Sequence, residues 1–208
     1  MFPVRDVVER RKFPFVNVAL ITTNIVAFLW SLTDFEHIVL TYGFTPAHWT
    51  PLTVLTSMFL HGDPGHIIGN MWYLFIFGDN VEDRFGHLKY LLFYLVSGVV
   101  ATYINYLTDP ASAILVIGAS GAISGVMGAY LLVFPRVKVH VIAFFYLTTL
   151  PAFVLIGFWF ILQLYFGTAG LLGGIGSGIA YWAHIGGFLF GLLGGLGYRV
   201  AKIEAPGA

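Results

Sequence analysis

The 208-residue sequence contains no cysteine, which removes a thiol nucleophile, a disulfide framework and thiolate metal ligation together. Charge is also scarce. Asp, Glu, Lys and Arg make up 10% of the chain and cancel to a formal net charge of zero. With no basic or acidic run, nothing points to nucleic-acid binding. A soluble domain draws on about a quarter charged residues to cover its core. This chain is 58% hydrophobic instead, so a bilayer is its expected solvent. No His-Glu-x-x-His helix is present to suggest a metalloprotease, and the sequence implies no cofactor or metal.

Crossing a bilayer core takes roughly 20 apolar residues. Runs near 15–32, 66–77, 88–107, 117–134, 150–166 and 178–198 predict six spans in one all-α domain covering residues 1–208. The run at 66–77 is the shortest, and 49–64 before it has a re-entrant or interfacial character. Basic residues in short loops favour the cytoplasm. Here Arg5, Arg10, Arg11 and Lys12 precede the first run, Arg84 and Lys89 fall between the second and third, Arg136 and Lys138 follow the fourth, and Arg199 and Lys202 close the sixth. The loops 33–65, 108–116 and 167–177 contain neither Lys nor Arg. Both termini are therefore expected in the cytoplasm, as an N-terminal segment 1–13 and a tail 200–208, with 34–65 a long outside loop. The first run is read as a retained anchor rather than a cleaved signal. Residues 136–146, basic and then apolar, are expected to lie along the membrane.

Polar residues inside spans are costly and default to functional sites with a partner to be named. Two of the seven histidines, His66 and His184, fall within or at the start of spans. At about 1.5 Å of rise per residue, Ser120 and His184 both lie a few residues in from the outer side. His66 and Asn70 open the second run from that side, four residues apart and so on one helix face. Each has a plainer reading: Ser120 among Gly118, Gly121 and Gly125 suits close helix packing, Asn70 suits interhelical hydrogen bonding, and a lone histidine suits a proton relay. The combination points to chemistry. A hydroxyl and an imidazole on separate helices must approach within about 3 Å for proton transfer. The small residues Gly121 and Gly125, with Ala183, Gly187, Gly191 and Gly195 at four-residue spacing, permit that approach.

The motifs GASGAISG over 118–125, HIIGN over 66–70 and AHIGG over 183–187 resemble those of the rhomboid intramembrane serine proteases. VEDR over 81–84 resembles that family's Glu-x-Arg element, and the loop around Trp49 its membrane-embedded first loop. The resemblance covers almost the whole chain. It implies a six-helix bundle that cleaves transmembrane segments entering laterally from the lipid. Ser120 would be nucleophile and His184 general base, and His66, Asn70 and the backbone N–H groups of Ser120 and Ala119 would form an oxyanion hole. Gly118, Gly121, Gly187, Glu82 and Arg84 carry over as structural elements, the last two as an ion-pair or hydrogen-bond element after the second span. Two positions depart from the family pattern. Ser124 stands where some relatives place an aromatic residue against the catalytic histidine, and Thr50 follows Trp49 where a basic residue is usual.

Two other classes fit parts of the pattern: a transporter with the four polar residues lining a path, and a non-catalytic binder of transmembrane clients. The inner halves of spans four and six read LLVF over 131–134 and LFGLL over 189–193, which leaves a through-path without polar groups. An aspartyl protease needs two acids face to face, whereas Asp79 and Asp109 fall on opposite sides. A bacterial or archaeal inner membrane is the expected location, with the active site facing outward.

Overall fold

The computed structural model describes residues 1–9, 11–172 and 178–204, so Arg10, the stretch 173–177 and the end of the tail lie outside it. Each predicted apolar run forms a helix: α1 (Phe15–Ser31), α4 (Pro64–Phe85), α5 (His87–Thr108), α6 (Ser120–Val133), α7 (Ala152–Leu171) and α8 (Tyr181–Glu204). Of these, α5 and α7 are long and apolar enough to cross a membrane on length and composition alone.

Local chemistry sets the boundaries. Pro64 at the first turn of α4 follows Asp63, whose side chain accepts from the His66 N–H at 2.9 Å; proline lacks the donor that this turn leaves unpaired, and the carboxylate caps another. Gly86, at φ +81°, separates α4 from α5, a left-handed conformation open to glycine at little cost. The second span, expected to be the shortest, is a 22-residue helix, because its last two turns carry Asp79, Asp83 and Arg84 and so do not read as an apolar run.

The loop expected outside, 34–65, is structured. It holds the short helices α2 (Phe35–Tyr42) and α3 (Pro51–Thr56) and single 3₁₀ turns at Pro46–His48 and Ser57–Phe59. Thr50, which stands where the family usually has a basic residue, caps α3 reciprocally with Thr53, satisfying two backbone donors. The loop is tied to the segment before α6 by a Phe44–Val116 bridge and by the Gly118 N–H donating to the Ser57 carbonyl at 2.9 Å.

The expected all-α bundle requires one correction. Residues 138–151 form a hairpin, β2 (Lys138–Ala143) and β3 (Tyr146–Pro151), and β1 (Phe2–Asp6) adds antiparallel to β2 in the order β1-β2-β3. The alternation of Lys138 and His140 with buried Val139 and Val141 is a strand pattern of period two, too short to register beside the long apolar runs.

The core lies where α1, α4, α5 and α6 meet, with Leu74, Phe77, Val81, Tyr90, Tyr94, Val126 and Tyr130 fully buried. The helices α6 and α8 touch through their backbones: a Cβ on Gly187 would collide with the Gly121 carbonyl oxygen, and one on Gly191 with that of Gly125. Outward faces carry Val26, Leu29, Ile68, Phe75, Leu92, Ile161 and Leu193 exposed, an apolar belt suited to lipid.

At one end of the bundle α1 begins, α4 stops and α8 finishes. Glu82, 1% exposed, accepts from the Val16 and Asn17 N–H groups at 2.9 and 2.7 Å and pairs with His87. Its charge thus sits on the positive end of α1. Arg84 lies over the Phe134 ring at 5.2 Å, so the expected Glu82–Arg84 element resolves into two separate contacts; among the described residues the pair itself does not form.

Candidate active site

At the opposite end, the first residue of α6 meets the first turn of α8. Ser120 Oγ lies 2.7 Å from His184 Nε2. The backbone contact between the two helices allows this: with side chains at Gly187 and Gly191 the helices would stand too far apart for a hydrogen bond.

His184 has a second partner that sequence reasoning missed. Gln163, on α7, places its amide oxygen 2.8 Å from Nδ1 of the ring. An amide oxygen only accepts, so Nδ1 carries the ring proton and Nε2 presents its lone pair to the Ser120 hydroxyl. This is the tautomer a general base needs. The signal was a lone glutamine in the apolar run FWFILQLYF over 158–166, the kind of residue that needs a partner inside a membrane. The departure at Ser124 is also resolved. Its hydroxyl donates back to the Ser120 carbonyl at 2.6 Å, and aromatic neighbours of His184 come instead from α7, as Trp159 with ring centroids 6.0 Å apart, and from α8, as Tyr181 at 6.4 Å.

His66 completes the group from α4. Its Nδ1 accepts from the Gly62 N–H at 3.3 Å, which leaves the proton on Nε2. That nitrogen faces Gly118: a Cβ built there would stand 2.7 Å from His66 Nε2 and 3.8 Å from Ser120 Oγ. Gly118 has φ +129°, so both its backbone conformation and the adjoining imidazole require glycine. Behind His66 lies His61, fully buried, with its ring edge-on at 5.0 Å. Burial, then the neighbouring His66, pushes the His61 pKa down to about 4, so His61 is neutral at ordinary pH. As a loop residue it did not stand out in the sequence.

Ser120, His184, His66 and Gly118 line one cavity of about 870 Å³, which also reaches Asn105 and Trp182. Asn70 is buried one turn along α4 from His66 and is not among the lining residues. Ala119, fully buried, precedes the helix. The first N–H groups of α6 have no intrahelical acceptor, and Ser120, Gly121 and Ala122 of that turn line the cavity. The cavity therefore offers a hydroxyl aligned with an oriented base, beside a neutral imidazole N–H donor and a helix N-terminus.

A model described as the Rhomboid domain matches residues 48–200, from the loop before α3 to the last turns of α8. The chain belongs to the rhomboid family. It is 35% identical over 133 residues to Rhomboid protease GlpG of Haemophilus influenzae, covering 62% of this chain and 60% of that protein. It is 35% identical over 89 residues to Putative rhomboid protease YdcA of Bacillus subtilis, 43% of each chain. With Rhomboid-like protein 11, chloroplastic, of Arabidopsis thaliana it shares 38% over 79 residues, 38% of this chain and 28% of that one. The chain thus spans between 28% and 60% of these relatives' own length. Family membership makes it an integral membrane protein. The relatives include chloroplastic and bacterial proteins, so they give the inner-membrane expectation no particular support.

Proposed function

We propose that this rhomboid-family protein is an intramembrane serine endopeptidase. It spans the bilayer six times with both termini cytoplasmic, and it cleaves transmembrane segments that enter laterally. The observation that carries the reading is the Gln163–His184–Ser120 hydrogen-bond relay, at 2.8 and 2.7 Å, opening on the cavity.

A substrate segment unwinds in the cavity and exposes a peptide bond. Ser120 Oγ attacks its carbonyl carbon while His184 Nε2 takes the hydroxyl proton. The negative charge that develops on the carbonyl oxygen faces the His66 Nε2–H and the N–H groups at the start of α6, with Asn70 and the Ala119–Ser120 backbone assisting. Donors fixed before the reaction stabilise that charge without reorganising, and this commonly outweighs every other effect in acyl transfer. Collapse of the tetrahedral intermediate passes the His184 proton to the departing amine and leaves the acyl group on Ser120. Water from the cavity then attacks the ester with His184 again as base, and the proton returns to Ser120. Gln163 holds the ring in the working tautomer throughout, and no metal or cofactor enters the cycle.

The test is cleavage of a fluorescently labelled transmembrane substrate by purified protein in liposomes, comparing wild type with Ser120→Ala and His184→Ala. Cleavage falls at least ~1,000-fold in both, with melting temperatures unchanged. Activity that survives Ser120→Ala overturns the mechanism. Absence of cleavage by wild type, together with tight binding of transmembrane segments, moves the chain to a client-binding role.

A further inference from the structure

The three-stranded sheet stands beside the bundle rather than beneath it. The Phe2 ring stacks on Trp72 of α4 at 5.5 Å and the Trp72 indole N–H donates to the Pro3 carbonyl at 2.7 Å. Asn80, further along α4, donates to Asp6 at 2.8 Å, and so does the Tyr130 hydroxyl at 2.6 Å. From Trp72 to Asn80 is about 12 Å of helix, and from Phe2 to Asp6 about 13 Å of strand. Hence β1 runs alongside α4 and in the same direction. Trp72 lies about 20 Å along α4 from its end at Phe85, against a hydrocarbon core about 30 Å thick. The register Phe2↔Ile142 and Asp6↔Val139 carries the β2–β3 turn past Phe2, to the depth of Trp72 and beyond it. The flanks of the sheet pack on α4 and α7.

The chemistry of the sheet changes along its length in the same sense. The outward positions near its base are Lys138 and exposed Arg5, with His140 hydrogen-bonded to Thr149 at 3.2 Å. The outward positions further along are Phe2, Ile142 and Leu147, all exposed. The turn itself is Phe144 and Phe145, 90% and 102% exposed, followed by exposed Tyr146. Both phenylalanines have positive φ, 47° and 70°, the two-residue turn usually given to Asn-Gly. Side-chain-bearing residues adopt it at a cost of about 1 kcal/mol or more each. Two bulky aromatic rings thus occupy strained positions and point away from the protein.

We propose that this hairpin is a membrane-inserted wedge. Phe144, Phe145 and Tyr146 sit among the acyl chains of the leaflet on the side of the chain termini, and Arg5, Arg136 and Lys138 lie at its phosphate level. The basic-to-apolar gradient matches the passage from anionic headgroup to hydrocarbon. The sheet continues the lipid-facing surface of α7, where Phe153 and Phe158 are exposed. The proposal rests on membrane placement and is independent of the catalytic reading.

The cysteine-free chain allows single-site labelling. Phe145→Cys and Arg136→Cys, each coupled to the environment-sensitive dye NBD, are placed in vesicles of phosphatidylcholine and phosphatidylglycerol, with melting and substrate cleavage recorded on the same samples. The label at position 145 should emit further to the blue than that at 136. Nitroxide carried on lipid acyl chains should quench it several-fold more strongly, and aqueous iodide several-fold less. Iodide quenching at 145 equal to that at 136 overturns the proposal. So does a label at 145 shielded from both quenchers, which would mean a protein partner. Ile142→Cys provides a second site outside the strained turn, expected to lie at intermediate depth.

Discussion

At the end where α4, α6 and α8 begin, polar groups face a cavity; at the end where α4 stops, they face one another. Glu82 is fully engaged by two backbone donors and His87, and Asp6 by Asn80 and Tyr130. Among the described residues, the site end keeps donors uncommitted, including the Nε2–H of His66 and the first N–H groups of α6. Buried hydrogen-bonding capacity that is matched holds a scaffold together, while capacity left open stabilises charge that appears only during a reaction. The same chain places both within one bundle and joins them by the glycine seam between α6 and α8.

Breaking the seam should have the largest effect. Gly191→Leu forces a side chain into the Gly125 carbonyl, and backbone cannot yield as a side-chain tip can. The expected result is a loss of several kcal/mol, seen as failure to purify a monodisperse protein or as a collapse of the melting temperature. Cleavage should be lost with it. Next is Glu82→Ala, which leaves the start of α1 uncapped at a cost of about 3 kcal/mol. Melting should fall by several degrees while the kcat of the folded fraction stays near wild type. A drop in kcat at unchanged melting would erase the distinction between the two ends. Smallest in free energy is Gln163→Leu, expected to lower kcat by ~10- to 100-fold with KM and melting unchanged. Gln163→Glu restores an acceptor for Nδ1 and should recover most of the rate; a purely structural glutamine would not show that rescue.

How far the sequence could be read follows the same division. The helices were visible because an apolar run of bilayer length seldom arises in any other setting. Ser120, His184 and His66 were visible because ionisable or nucleophilic groups at one depth on separate spans need a reason. Gln163 does not stand out beside ionisable side chains, although a neutral amide within α7 costs enough to require a partner. His61 looked like an ordinary loop residue, since only the fold of the loop before α4 lays it behind His66. The hairpin escaped because its alternation is too short to stand out beside the apolar runs, and its pairing with β1, more than 130 residues away, leaves no local trace. Glu82 and Arg84 were carried over as one ion-pair or hydrogen-bond element, whereas Glu82 bonds the start of α1 and His87, and Arg84 lies over Phe134.

The hydrogen bond from Gln163 to His184 ties α7 to α8, two helices that meet through side chains rather than through a backbone seam like that of α6 and α8. On the proposed function, any excursion of α7 wide enough to admit a segment from the lipid stretches that bond. The His184 imidazole would then rotate freely, and Ser120 would lose its proton acceptor in the same motion that opens the door. Admission and cutting would thereby be interlocked, with the protein idle while ajar and armed only when shut.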